Sequence, residues 1–249
     1  MGLKESGLRG SLRNVSVGID AIPDSVVLQY FATEVNGGSS TWPDDVETQD
    51  MGLTGGETDA TLSDGSESLE FDGANDTGDI PVPSNFDEDG MHEWTLEIAF
   101  EFDFTGDNED LINTRESDGQ QFLLSPNRDE NNATDDGNMG FRFDDGTDRF
   151  RFSFQDNPNL NDGNRHDLTL IMNDMTRNDA TLILDGDEKS ITTNETEGPD
   201  SWSAWSLPFQ IAARNNDGSI DRHMPVEIGA MRWHDEAIEG QTIDDAYPP

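Results

Sequence analysis

Glu101-Phe102-Asp103 sets two carboxylates two residues apart inside the alternating run HEWTLEIAFEFDF, residues 92–104. Residues i and i+2 of a strand project from one face, so the pair would stand side by side. Two carboxyl groups about 5–5.5 Å apart can cleave a glycosidic bond with retention, and about 6.5–9.5 Å apart with inversion. The same residues, with Glu97, also read as the solvated face of an amphipathic strand. A second arrangement lies in SWSAWSLPF, residues 201–209, where Trp202 and Trp205 stand among small polar residues. An exposed indole offers a flat apolar face to a sugar ring, with a polar handle at its edge. The spacing is not that of one strand face, so one indole can enter the core while the other meets a ligand.

No other pattern carries a reaction. His92, His166, His223 and His234 are scattered along the chain, and no spacing among them suggests a metal site. There is no G-x-S-x-G elbow, H-E-x-x-H helix, P-loop or dinucleotide fingerprint. Cysteine is absent, which removes disulfides, thiolate zinc sites, iron–sulfur clusters and a cysteine nucleophile. No catalytic residue is assigned, and a non-enzymatic role is expected.

The 249 residues hold 54 Asp plus Glu against 14 Lys plus Arg, a net charge of −40. Such a chain repels nucleic-acid phosphates and anionic membrane surfaces. Hydrophobic residues make up 32%, low enough to raise disorder as a reading. The 13 Phe and 5 Trp, most of them in alternating segments, argue for a folded core instead. Carboxylates are spread along the whole chain, and lysine is confined to Lys4 and Lys189. Salt screens carboxylate repulsion down to a Debye length of about 3 Å at 1 M, so a salt-rich habitat accounts for this composition without any site. The first 20 residues hold no apolar run of signal-peptide length. No stretch of about 18 apolar residues could span a bilayer, and Gly2 with Ser6 match the myristoylation pattern only at chance level.

The elements that must position these groups are strands. SVVLQYF at 25–31 is β-branched and aromatic, and SLEFDG at 68–73 alternates up to an Asp-Gly turn. Residues 32–67 read as mostly polar loop, and GDIPVP at 78–83 as an edge piece because of its prolines. Residues 92–104 alternate Trp94, Leu96, Ile98, Phe100, Phe102 and Phe104 on one face. DLINTR and QQFLLS follow. MGFRFDDG with DRFRFSFQD, and HDLTLIMND with DATLILDGDE, read as two hairpin pairs. PFQIAAR and VEIGAMRWH are late strands, and DEAIEG suggests one helical turn. Many antiparallel strands with short Gly turns and no long helical period predict an all-β sandwich of two antiparallel sheets. One domain is placed at 21–249, with long polar loops over 105–165. Residues 1–20, bearing Lys4, Arg9 and Arg13, read as a flexible arm or as an arm that adds a strand to a neighbour.

Six phrases, in this order, are similar to those of the concanavalin A-like, laminin-G-like family. They are LQYFATEVN (28–36), SLEFDGAND (68–76), WTLEIAFEF (94–102), RHDLTLIMND (165–174), ATLILDGDE (180–188) and VEIGAMRWHDEAI (226–238). The resemblance covers about 25–240 and implies a jelly-roll sandwich. It implies that Asp72-Gly73 and Asp185-Gly186 close strands at tight turns, since Gly tolerates positive φ and Asp bonds nearby backbone N–H groups; calcium ligation is the other reading. Rim calcium in such domains would draw on Asp72, Asn75, Asp76, Asp217 and Asp221, although 215–223 lacks EF-hand spacing. His166 falls before a core strand, as a structural residue. Laminarinase-type relatives carry E-x-D-x-x-E on the central strand; here the third carboxylate is replaced by Gly106.

Laminin-G-like domains are often found in tail fibres, turrets and other virion appendages. With the acidic surface, the chain resembles a structural protein of a virus infecting haloarchaea. The resemblance implies a virion surface protein made in the host cytoplasm and held to other virion proteins by the arm. It would act as a homo-oligomer and contact host glycan or S-layer protein. A free carbohydrate-binding protein is the alternative, and a glycoside hydrolase the third reading.

Overall fold

The computed structural model describes residues 26–35, 37–44, 46, 49–82, 93–102, 110–125, 140–154, 160–174, 179–193 and 205–238. The arm at 1–20, the domain start at 21, and His92, Asp103, Phe104, Gly106 and Trp202 lie outside these residues.

The strands in chain order begin with β1 (Val26–Phe31), β2 (Thr41–Trp42), β3 (Met51–Thr54), β4 (Thr58–Thr61), β5 (Glu67–Asp72) and β6 (Thr77–Ile80). Then come β7 (Trp94–Glu101), β8 (Ile112–Arg115), β9 (Gln120–Ser125), β10 (Gly140–Asp145), β11 (Arg149–Phe154), β12 (His166–Asp174) and β13 (Asp179–Leu184). The last are β14 (Asp187–Lys189), β15 (Ile191–Thr193), β16 (Phe209–Ile211), β17 (Arg214–Asn216), β18 (Ser219–Asp221) and β19 (Pro225–His234). One sheet has eight strands in the order β14-β13-β12-β7-β19-β5-β4, with β1 also on β19. The other has eleven, in the order β15-β11-β10-β9-β8-β16-β6-β3-β2, with β17 also on β8 and β18 on β17. All pairings are antiparallel except β17 with β8. The all-β sandwich expected from the strand patterns is the observed fold.

Alternating aromatics join the sheets. Trp94 and Trp233, from β7 and β19, meet Phe122 and Phe209, from β9 and β16, at ring centroid distances of 5.4 to 6.0 Å. All four are buried, and tilted or offset rings at this separation add to the area they remove from water.

Four local expectations are corrected. Residues 32–67 carry a 3-10 turn (Ala32–Glu34) and β2 to β4 rather than loop alone; these strands are two to four residues long, too short for a visible period. β6 lies inside the larger sheet, between β16 and β3, because Pro81 falls just after its last residue and removes no ladder donor. No helix is formed over 235–238. The fourth concerns β7, whose second face was expected to be solvated: Thr95, Glu97 and Ala99 are as buried as Trp94 and Leu96. β7 is the middle strand of its sheet, and the chain leaving β19 crosses it. Thr95 Oγ1 donates to Glu236 O (2.9 Å) and accepts from Ile238 N (3.0 Å). Beneath that crossing, Glu97 Oε2 lies 3.0 Å from His234 Nε2 and accepts from Arg232 Nη1 at 3.4 Å, while Arg232 Nε donates to Gln29 Oε1 at 2.8 Å.

The two Asp-Gly phrases end differently. Asp185 and Gly186 have φ of 54° and 79° and join β13 to β14 with Leu184 opposite Asp187, a two-residue hairpin loop of the type I′ kind. Asp72-Gly73 instead lies where the chain leaves β5 of one sheet for β6 of the other. Asp72 Oδ1 accepts from Ala74 N (2.7 Å) and Asn75 N (3.4 Å), an Asx turn. Gly73 has φ 73°, and a Cβ there would stand 2.7 Å from the Pro225 ring, so this crossing admits no side chain.

Candidate functional site

A cleft of about 570 Å³ opens beyond the end of β7 where three turns meet. Ser63 and Asp64 come from the turn before β5, Asn164 and Arg165 from the approach to β12, and Asp185 from the β13–β14 turn. Arg165 organises it. Its guanidinium bonds Asp64 Oδ2 with one nitrogen and Asp167 Oδ1 with two others, at 3.0 and 2.7 Å. Its backbone N–H donates to Ser63 Oγ at 2.7 Å. Burial opposes ionisation of Asp64, but bonds from Ser66 and the Arg165 guanidinium win and lower its pKa to about 2.

Behind Arg165, His166 is buried with Nδ1 2.9 Å from Asp185 Oδ2 and Nε2 3.3 Å from Asp162 Oδ1. Asp185 Oδ1 also accepts from Asp167 N at 3.0 Å. Burial disfavours the imidazolium, yet the bond and charge of Asp185, then of Asp162, outweigh it and raise the His166 pKa. Asp185 is correspondingly lowered: burial acts against its charge, and the His166 bond and the Asp167 N–H overcome it. The aspartate of DGDE thus both turns the chain and holds an imidazole.

This pairing carries a sign. A raised His pKa contributes stability in full below about pH 6.5 and loses it as pH rises through the folded value. A lowered Asp pKa contributes above about pH 3.9 and loses it as pH falls through the folded value. The pair is therefore strongest at mildly acidic pH. Wild type is expected to lose denaturation midpoint between pH 6 and 8 more steeply than Asp185→Asn, measured in constant high salt. Parallel decline of the two proteins would remove the assignment.

A smaller groove, about 170 Å³, adjoins the cleft. Glu70, Glu227 and Glu101 face one another in register across β5, β19 and β7. Ser63 N donates to Glu101 Oε2 at 2.6 Å and so ties the two depressions together. Burial, then the charges of Glu101 and Glu70, lift the Glu227 carboxyl above its usual range, against a lowering bond from Ser68. Glu101 was legible in the sequence through its strand; Glu227, 126 positions away in an unrelated phrase, was not.

The proposed calcium donors fall in two places. Asp76 Oδ2 accepts from Asp72 N at 2.9 Å, and Asn75 Nδ2 approaches Asp76 Oδ1 at 3.4 Å. Asp217 occupies the Asp217-Gly218 turn between β17 and β18 with φ 55°. Asp221 forms a two-point ion pair with Arg214, at 2.7 and 2.6 Å. No group of three or more His, Asp or Glu side chains among the described residues is placed to hold a metal. The structure adds Glu57 near Asp76: it is 1% exposed, and its Oε1 has no hydrogen-bond partner. Burial raises its pKa, with Asp76 adding to the effect against lowering backbone N–H bonds.

Trp205 enters the core. It lies 5.3 Å from Phe209 and 6.1 Å from Phe143, ring to ring. Glu116 fastens the segment after it, one carboxylate oxygen accepting from Ser206 N, Ser206 Oγ and Leu207 N at 2.6–3.1 Å.

No family model matches the sequence, and no curated protein matches it. Solved structures share the fold. Domain 4 of AbnA, a GH43 extracellular arabinanase from Geobacillus stearothermophilus, in complex with arabinotriose, superposes with a TM-score of 0.61 at 12% identity. That match covers 86% of this chain and 94% of that one. The binding domain of Paraclostridial Mosquitocidal Protein 1 gives 0.61 at 13% identity, over 87% of this chain and 50% of that one. The K499G mutant of NanB sialidase from Streptococcus pneumoniae gives 0.53 at 16% identity, over 74% and 27%. At these identities the likeness is one of fold: a two-sheet antiparallel sandwich that also occurs within glycosidases.

Proposed function

We propose that the chain is a non-enzymatic carbohydrate-binding domain that takes a glycan in the cleft around Arg165. The observation that carries this is the cleft itself. The Asp64, Asp167, Asp185, Asn164 and Arg165 side chains set acceptors and donors at fixed positions, as paired sugar hydroxyls require. Charge-assisted bonds hold those carboxylates in place before a ligand arrives, which lowers the cost of ordering them on binding. The arabinotriose complex of AbnA domain 4 adds support, because nearly the whole of that domain shares this fold. The narrower laminin-G reading rests on the six ordered phrases and is compatible with the sandwich.

A hydrolase reading has one observation in its favour: Glu101 and Glu227 stand opposite each other, and burial raises the Glu227 carboxyl above its usual range. Work on a virion surface, as an oligomer joined by the arm, is carried by the acidic composition and the resemblance. Presence of the chain in purified particles would test it.

For the rim calcium that the resemblance implies, the donors we propose are Glu57 and Asp76, because the buried Glu57 Oε1 has no hydrogen-bond partner. These two would hold it, and the ion would supply the charge that the buried pair lacks, tying the turn before β4 to the β5–β6 crossing.

Calorimetric titration of arabinotriose and a panel of neutral oligosaccharides at high salt tests both statements. Asp64→Asn and Arg165→Gln are expected to weaken binding about tenfold or more, equivalent to about 1.4 kcal/mol, while circular dichroism stays unchanged. EDTA is expected to lower the melting temperature of wild type and not of Glu57→Gln. Wild type that binds no oligosaccharide, or variants that bind as well as it does, would sink the cleft assignment. Sugar release abolished by Glu227→Gln would instead establish the hydrolase. An EDTA response surviving in Glu57→Gln would remove Glu57 as a ligand.

A further inference from the structure

Two walls of the Arg165 cleft are fastened from behind by one side chain. His166, the first residue of β12, is buried between the loop that precedes it and the β13–β14 turn. Its Nδ1 lies 2.9 Å from Asp185 Oδ2 and its Nε2 3.3 Å from Asp162 Oδ1. Both carboxylates continue into the cleft. Asp162 Oδ1 also accepts from Asn164 N at 2.9 Å, which shapes the turn that presents Asn164 and Arg165. Asp185 lines the cleft itself, and its other oxygen accepts from Asp167 N at 3.0 Å.

The number of protons on the ring follows from this geometry. Ionised carboxylates accept and do not donate, so two of them at one ring need two N–H donors, and only the imidazolium has two. A neutral ring keeps one N–H. Its other nitrogen then turns a lone pair toward a carboxylate, and one of the two walls loses its bond. The charged groups that face the ring are Asp185, from the β13–β14 turn, and Asp162, from the loop before β12. From β7 the ring meets Phe100, with centroids 6.0 Å apart. Beside it in the chain, Arg165 and Asp167 bond each other, and Lys189 acts on Asp185 from β14. Burial opposes the charge of Asp162 as it does that of Asp185, and bonds from Asn164 with the charge of His166 outweigh it and lower the Asp162 pKa.

We propose that His166 is a positioning residue that makes glycan binding in the cleft pH-dependent: as an imidazolium it clamps the Asn164–Arg165 loop and the Asp185 turn together, and on losing its proton it releases one of them. The proposal rests on the carbohydrate-binding reading of the cleft. A clamped cleft is ordered before the ligand arrives, and a released one must be ordered by it. The clamp is complete below the folded pKa of His166, which is raised, and opens as pH rises through that value. At the acid end it is lost as pH falls through the lowered values of Asp185 and Asp162. Affinity for a neutral glycan is therefore highest at mildly acidic pH. By reciprocity, a bound glycan holds the His166 proton more tightly.

The test is titration of arabinotriose and the neutral oligosaccharide panel into wild type, His166→Gln and Asp162→Asn from about pH 5 to 9 at one high salt concentration. The imidazole Cε1–H signals are followed by NMR with and without the tightest of these sugars, and His166→Gln identifies the His166 signal by its loss. The sugars carry no group that titrates in this range, so pH acts on the protein alone. Wild-type affinity is expected to fall about tenfold between mildly acidic and alkaline pH, and the pH at which His166 loses its proton to rise by about one pH unit on saturation. His166→Gln is expected to bind with an affinity that does not change over the same range. Asp162→Asn is expected to move the fall to lower pH, because the ring then keeps one carboxylate. A merely structural histidine would titrate alike with and without sugar, and that result overturns the proposal. So does a flat wild-type affinity; either result leaves the cleft assignment standing. Absence of binding in wild type at every pH overturns the cleft assignment and the clamp with it. If His166→Gln unfolds, the signal that Asp162→Asn moves identifies the ring, and a fall in affinity that Asp162→Asn leaves in place overturns the proposal.

Discussion

Glu97→Ala is expected to destabilise the protein by about 3–5 kcal/mol, the cost of leaving buried charge without its partner. Glu97 is 1% exposed and His234 0%. Its one oxygen meets both His234 Nε2 and Arg232 Nη1, so alanine would take the carboxylate away from a buried guanidinium and imidazole beneath the chain that crosses β7. For a chain of this size the loss corresponds to about 2–4 °C of melting temperature per kcal/mol. Urea denaturation in constant high salt measures it, with Glu101→Ala as the comparison at the partly exposed end of the strand. A loss below about 1 kcal/mol, the range of an exposed ion pair, would mean that water enters the cluster and that the crossing segment opens.

Trp205→Ala is expected to cost about 3–5 kcal/mol, as large-to-small changes in a packed core do. Its ring fills the space between Phe143 and Phe209, and the bonds to Glu116 hold the following residues so that it cannot swing out without breaking them. The variant should unfold at lower denaturant while the folded fraction keeps its affinity for a neutral oligosaccharide. Unchanged stability with lost sugar binding would make Trp205 a contact residue. Trp202→Ala, compared in the same assay, reports whether the other indole serves as the stacking face.

The tertiary structure changed the meaning of particular residues more than it changed the fold. Trp94 to Phe102 alternate so regularly that a strand with one apolar face was legible, and Trp94, Leu96, Ile98 and Phe100 do face the opposite sheet. What covers the other face was not legible. Glu97, Arg232 and Gln29 are separated by 68 to 203 positions, and only strand order makes them neighbours. The two Asp-Gly phrases look alike because turn chemistry is local. One is a hairpin loop and the other a crossing between sheets, a difference set by where the next strand pairs.

The sequence by itself determined the all-β class, most strands, the hairpin turns and the acidic surface, because period, turn residues and charge are properties of neighbouring positions. The cleft was decided only by the tertiary structure. Arg165 and Asp64 lie 101 positions apart, and His166 and Asp185 19, and nothing in RHD or DGDE marks either for the other. Chemistry between distant residues is a consequence of pairing order, which is set by the sum of core contacts rather than by any local phrase.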